Sequence, residues 1–323
     1  MDQNSHITSE RLGLPRQFRW QRLLRYRLTT LFIITAMIAV VFACWSQSAR
    51  RQRETLAALP DSYLFAYDFE DDGLDQPRYW PQWLVHVLGV DYFANITSVH
   101  SSSAVNADLL HVKHLTAIKS LMLYGSKPRG AEGSDITDAG LIHLKGLTAL
   151  QELSLTDTKI TDAGLVYIAN LTALKDLYLS GTKITDSCLE HLASLTKLET
   201  LDLNGTRVTG MGLRYLKDHT VLRRLCLNDT PMTDAGLGHL KGLAMLEVLE
   251  LRNTRVTGAG MQHLKVLTAL RELTLTGTQI NDTGLDHLES VTTLEVLSVG
   301  EMPFTEKGMD HFRKALPNCK ISY

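Results

Sequence analysis

Six of the twelve histidines, His143, His191, His239, His263, His287 and His311, recur at multiples of 24 residues, and Tyr167 and Tyr215 fill the two remaining places of the series. Imidazole is the side chain best suited to titrate near neutrality or to ligate a transition metal, so chemistry is sought here first. A zinc site needs its ligands about 2.0 to 2.1 Å from one ion, whereas successive units of a stacked chain stand at least ~4.8 Å apart. The series reads as packing on the outer side of a repeat, with a weak pH response as its residual chemistry, and no metal ligand is assigned.

Nucleophiles are no better placed. Cys44, Cys188, Cys226 and Cys319 are far apart, form no CxxC pair and are too few for a disulfide framework or a zinc site. The chain carries no GxSxG, P-loop, HExxH or dinucleotide-binding fingerprint. No enzyme class is expected, and no cofactor. The sequons at Asn204 and Asn228 arise because a repeating threonine sits two residues downstream, and that at Asn170 borrows the LT of the next unit; Asn95 and Asn281 begin the other two.

The elements that position these residues come from one template. Leu147 to Asn170 reads LTALQELSLTDTKITDAGLVYIAN, and its first leucine returns at Leu150, Leu174, Leu198, Leu222, Leu246, Leu270 and Leu294, which makes seven units in register. An earlier unit starts at Ile118, but Leu123 to Ile136 is 13 residues where Leu155 to Ile160 is 5, so eight residues, Lys127 to Ser134, are inserted. Alternation puts Leu153 and Leu155 inward on a short strand, with Glu152, Ser154 and Thr156 facing out. Thr161 and Asp162 read as a helix start, the carboxylate lying near the positive dipole end. Leu165 and Ile168, three apart, return to the same core. The threonines Thr158, Thr182, Thr206, Thr230, Thr254 and Thr278 are expected to satisfy backbone groups at the strand-to-loop bend.

Before the repeats, Leu28 to Trp45 is an uncharged run of 18 residues, about 27 Å long as a helix and close to the ~30 Å hydrocarbon core. Six arginines precede it (Arg11, Arg16, Arg19, Arg22, Arg25, Arg27) and three follow (Arg50, Arg51, Arg53). That bias predicts a cytoplasmic N-terminus and exported repeats, in a single pass of the cytoplasmic membrane. The alternative is a signal peptide cleaved near Ser46-Gln47-Ser48, which would leave a secreted or periplasmic protein.

The TDAGL-type units resemble leucine-rich repeats, in a pattern related to that of F-box/leucine-rich-repeat proteins. With the arginine-rich leader, the single span and WPQWLVHVLGVDYFANI, the chain resembles the membrane-anchored repeat proteins of planctomycete bacteria. The resemblance covers roughly Ile118 to Phe312. It implies an α/β fold, a solenoid with a curved parallel sheet and helices on the convex side, and a protein-binding role. It transfers no catalytic residue, and no F-box is present to carry a ubiquitin-ligase role.

The resulting plan is a leader over 1–27, a transmembrane helix over 28–45 and a linker over 46–79. An N-terminal cap and irregular first unit occupy 80–117, repeats 118–303 and a C-terminal cap 304–323. With 33 basic and 35 acidic side chains, no whole-protein field would draw the chain to nucleic acid. Outward strand positions gather Tyr124, Glu152, Asp176, Tyr178, Asp202, Arg224, Glu250, Arg252 and Glu272 on the concave face, the expected protein-binding residues. Acids outnumber arginines there, which predicts a partner with a basic segment near Tyr124, Glu152, Asp176, Tyr178 and Asp202. A structural cell-envelope component acting by self-association is the alternative role, and an enzyme with an unrecognised site a remote one.

Overall fold

The computed structural model describes residues 16–60, 64–67, 95–125, 136–300 and 303–323. The cap segment expected from Trp80 and the inserted loop Lys127 to Ser134 lie outside the described residues. The chain divides into two compact units, Met1–Arg51 and Gln52–Tyr323. A helix spans Arg16–Ala58, and its Ile33–Ala58 portion is long and apolar enough, by length and composition, to cross a membrane. Ile33, Ile34, Met37, Ile38 and Val40 on it are exposed.

The second unit is one sheet of eleven strands in chain order. They are β1 (Leu64–Tyr67), β2 (Ile96–Ser101), β3 (Ser120–Leu123), β4 (Glu152–Ser154), β5 (Asp176–Tyr178), β6 (Thr200–Asp202), β7 (Arg224–Cys226), β8 (Val248–Glu250), β9 (Glu272–Thr274), β10 (Val296–Ser298) and β11 (Lys320–Ser322). β1 pairs antiparallel with β2, and every later pairing is parallel. Parallel neighbours need a crossover on one side of the sheet, and here each is a short helical segment such as Asp162–Leu165 or Asp282–Leu288.

The register repeats the sequence period. Glu152 pairs with Asp176 and Asp176 with Thr200. Ser120 instead pairs with Glu152, 32 positions on, which is one period plus the eight inserted residues. The parallel ladder also runs back to β2, followed by a helix over Asn106–Val112, and forward to β11. Between strands and helical segments lies one leucine core: Leu150, Leu153, Leu155, Leu165 and Ile168 of a single unit are all fully buried, as are their counterparts in the next. Each unit's apolar face is covered only by its neighbours, as in any solenoid.

Two polar ladders lock the turns. Each threonine at the bend donates its hydroxyl to the carbonyl three residues back, from Thr158 to Leu155 (2.7 Å) through to Thr278 and Leu275 (2.6 Å). The aspartate at the helix start does more than face a dipole. Asp138 accepts from the Thr161 amide (2.8 Å) and hydroxyl (2.6 Å) of the following unit. Asp162 with Thr185, Asp186 with Thr209, Asp234 with Thr257 and Asp282 with Thr305 repeat the arrangement. The backbone and side-chain hydrogen bonds from Thr305 hold the Asp282 carboxyl below the usual range. Where glycine replaces the aspartate, at Gly210, Thr233 donates instead to the Thr209 carbonyl (3.2 Å). A third column, Asp157, Gly181, Gly205, Asp229, Asn253 and Gly277, is left-handed throughout, with φ from 54° to 73°. These are the residue types that tolerate that region.

One core position breaks the pattern. His219 is fully buried in the column otherwise filled by Leu147, Leu171, Leu195, Leu243, Leu267 and Val291. Its Nε2 lies 3.2 Å from the Leu192 carbonyl oxygen, and its Nδ1 has no partner. Burial holds its pKa below the ordinary value, against the opposing pull of the Leu192 and Leu216 backbone carbonyls and of Asp218. The unfolded chain therefore takes up a proton near pH ~6.5 while the folded chain does not. The folded state loses stability as pH falls from there towards the depressed value. Replacing His219 with Leu removes both the orphaned nitrogen and this titration. Urea unfolding at pH 7 should show a gain of about 1 to 2 kcal/mol, larger at pH 5.5. A variant that is no more stable, or that keeps the same acid-side decline, would refute this reading.

Candidate protein-binding face

Strand alternation turns every second side chain away from the leucine core, and stacking aligns those side chains into columns across β3 to β9. Tyr124, just past β3, is 41% exposed. Glu152, Asp176, Tyr178, Asp202 and Glu250 are half-buried, and Arg224, Arg252 and Glu272 are exposed. All nine residues expected on this face stand on its outward positions. Ser154 and Cys226, in the same central column, are buried. Ser154 is flanked in register by Met122 and Tyr178, and Cys226 by Asp202 and Glu250. A small side chain between larger ones becomes the floor of the face.

The face has two electrostatic halves. On β7 and β8, Glu250 is satisfied: Arg224 Nη1 lies 3.2 Å from its Oε1, and the Asn228 side-chain amide donates to its Oε2 at 2.6 Å. Burial first, and then Glu250 and Asp202, push the Cys226 thiol up to about 12. It stays protonated and is no nucleophile at neutral pH.

On β3 to β6 the outward positions hold Glu152, Asp176 and Asp202, with no lysine or arginine among the described residues of those positions. Glu152 and Asp176 face each other in register on adjacent strands. Like charges so placed repel. The Ser120 hydroxyl donates to Glu152 (2.8 Å), and the Asn204 amide to Asp202 (2.9 Å). Partial burial raises the Asp202 pKa, opposed by the Asn204 N–H and helped by Glu250. Burial and then Glu152 raise the Tyr124 pKa; burial and then Asp176, Glu152 and Asp202 raise that of Tyr178. Both phenols therefore stay neutral at pH 7, Tyr124 in the field of Glu152 and Tyr178 in that of Asp176, Glu152 and Asp202.

The histidine series lies on the opposite, helical side. His143, His191, His239, His263 and His287 are half-buried beside inward leucines, and His311 is exposed. Arg214 stacks over Tyr215, 4.9 Å from its ring centre.

A family model for leucine-rich repeats matches residues 142–208. The chain carries leucine-rich repeats. Among solved structures, this repeat protein is similar to internalin C2 from Listeria monocytogenes strain 4b F2365, with 25% identity, a TM-score of 0.51 and coverage of 65% of this chain and 86% of that one. A second internalin of that strain, inlF, shows 20% identity and a TM-score of 0.49 over 66% of this chain and 63% of its own. No curated protein matches the chain.

Proposed function

We propose that the protein is a membrane-anchored scaffold whose concave face, outside the cytoplasm, binds a protein partner through a basic segment. The observation that carries this is the Glu152–Asp176 pair, in register on neighbouring strands with no cation among the described residues at the outward positions beside it. A lysine or arginine brought there relieves a repulsion that the free protein bears. Tyr124 and Tyr178 add exposed aromatic area next to the acids, of the kind that dominates interface energies and stacks on a cationic head. A sheet stiffened by its ladders is pre-organised, so little ordering cost is due on binding. The apolar helix and the arginine imbalance around it support anchoring with the repeats exported.

Protease added to intact spheroplasts should digest the repeats while carbonate washing leaves the chain in the membrane. Complete protection, or release of a chain beginning near Ala49, would overturn the anchored topology. Cross-linking in the same membranes should give a band containing a second, different protein. A ladder of self-adducts alone would favour the self-association reading instead.

A further inference from the structure

The geometry points to a divalent transition-metal site on the convex side, formed by Asp286, Glu289 and His311, that ties the C-terminal helix to the last regular repeat. Asp286 lies in the helix Asp282–Leu288, Glu289 caps that helix, and His311 lies in the helix Glu306–Ala315 of the following unit. Each offers one ligand atom, and all three atoms lie within 4.8 Å of one another. His311 Nε2 is 3.3 Å from Glu289 Oε1. Two ligands held ~2.1 Å from one ion at a tetrahedral angle stand ~3.4 Å apart, so this pair already has the spacing of two coordinated atoms. Asp286 is exposed, and rotation of its side chain brings its carboxylate the remaining distance.

A second observation sets this cluster apart from an ordinary surface ion pair. The Glu289 side chain is 25% exposed, but its Oε1 is shielded from solvent and, apart from the His311 ring nitrogen 3.3 Å away, has no polar partner among the described residues. A shielded carboxylate oxygen without a donor is costly, and an ion is one of the few groups that satisfies it. Among the described residues no other group of three such side chains converges. The histidine series by itself cannot do this, because its members are a full repeat apart. The site forms only where one of them meets two carboxylates from the preceding unit. One imidazole with two carboxylates suits zinc or cobalt better than magnesium or calcium, which prefer oxygen alone. Three protein ligands leave a fourth position for water.

The test uses the full chain, purified in detergent and stripped with chelator. Titration with Zn2+ should show one saturable equivalent and raise the melting temperature, since a ligand of the folded state alone stabilises it. Co2+ should give the visible absorption of a tetrahedral site. His311→Ala and Glu289→Gln should each lower Zn2+ affinity at least about tenfold, the smaller loss usual even for groups one shell further out. His287→Ala should leave it unchanged. Far-UV circular dichroism confirms that the variants are folded. Absence of a saturable equivalent in the wild-type chain, or binding that survives the His311→Ala/Glu289→Gln double change, would leave only an ion pair here and overturn the proposal.

Discussion

Leu201→Ala should destabilise the repeat unit by about 2 to 5 kcal/mol, or roughly 5 to 15 °C in melting temperature for an array of this size. Leu201 is fully buried on β6, near the middle of the sheet and in register with Leu177 and Leu225. Truncating it opens a cavity that both neighbouring units line. In a stack held by nearest-neighbour contacts, such a loss weakens two interfaces at once. Thr200, the preceding residue on the same strand, points to the open face, and Thr200→Ala should shift stability by no more than about 0.5 kcal/mol. Thermal unfolding followed by circular dichroism separates the two. Equal effects would mean that the alternation of inward and outward positions on β6 is misassigned.

The leucine columns were legible because burial imposes a period that chain composition shows directly, and the 24-residue spacing carried the strand register with it. The eight-residue insertion was legible for the same reason. β2 and the helix after it were harder, because ITSVHSSSAVNADLLHV lacks the LxxLxL spacing; only its pairing with β3 reveals it as part of the ladder. Asp162 suggested a helix-dipole partner, since sequence displays neighbours along the chain. Its stronger contacts are with Thr185, one unit away. His219 stands in a leucine column, and aligning the units position by position would have marked it.

For the candidate face, alternation placed all nine residues on outward positions, but it could not grade them. Cys226 shares the outward column of Tyr178, yet it is buried. Glu250 looked like one more free acid, and stacking brings Arg224 and Asn228 onto it. Among the described residues no lysine or arginine stands at the outward positions beside Glu152 and Asp176, so the uncompensated charge of those positions concentrates at the end nearer β3. The meeting of Asp286, Glu289 and His311 depends on helix packing between units, which spacing alone does not give.

That concentration sets the largest expected effect on function. Tyr178→Ala combined with Asp176→Lys and Asp202→Lys converts the acidic half of the face to a basic one and removes an aromatic anchor. Residues at the centre of an interface each cost about 2 kcal/mol or more when lost, so affinity for a basic partner should fall more than about a hundredfold. The fold should hold, because these side chains point away from the core and the Glu152–Asp176 repulsion is relieved.

Affinity capture from the protein's own membranes, run side by side with the wild-type chain, this triple variant and a convex control carrying His239→Ala and His263→Ala, tests the concave-face account most directly. The account predicts that wild type and convex control retain the same partner and the triple variant loses it, with all three melting within a few degrees. Capture that survives the triple change and fails with the convex one would contradict it.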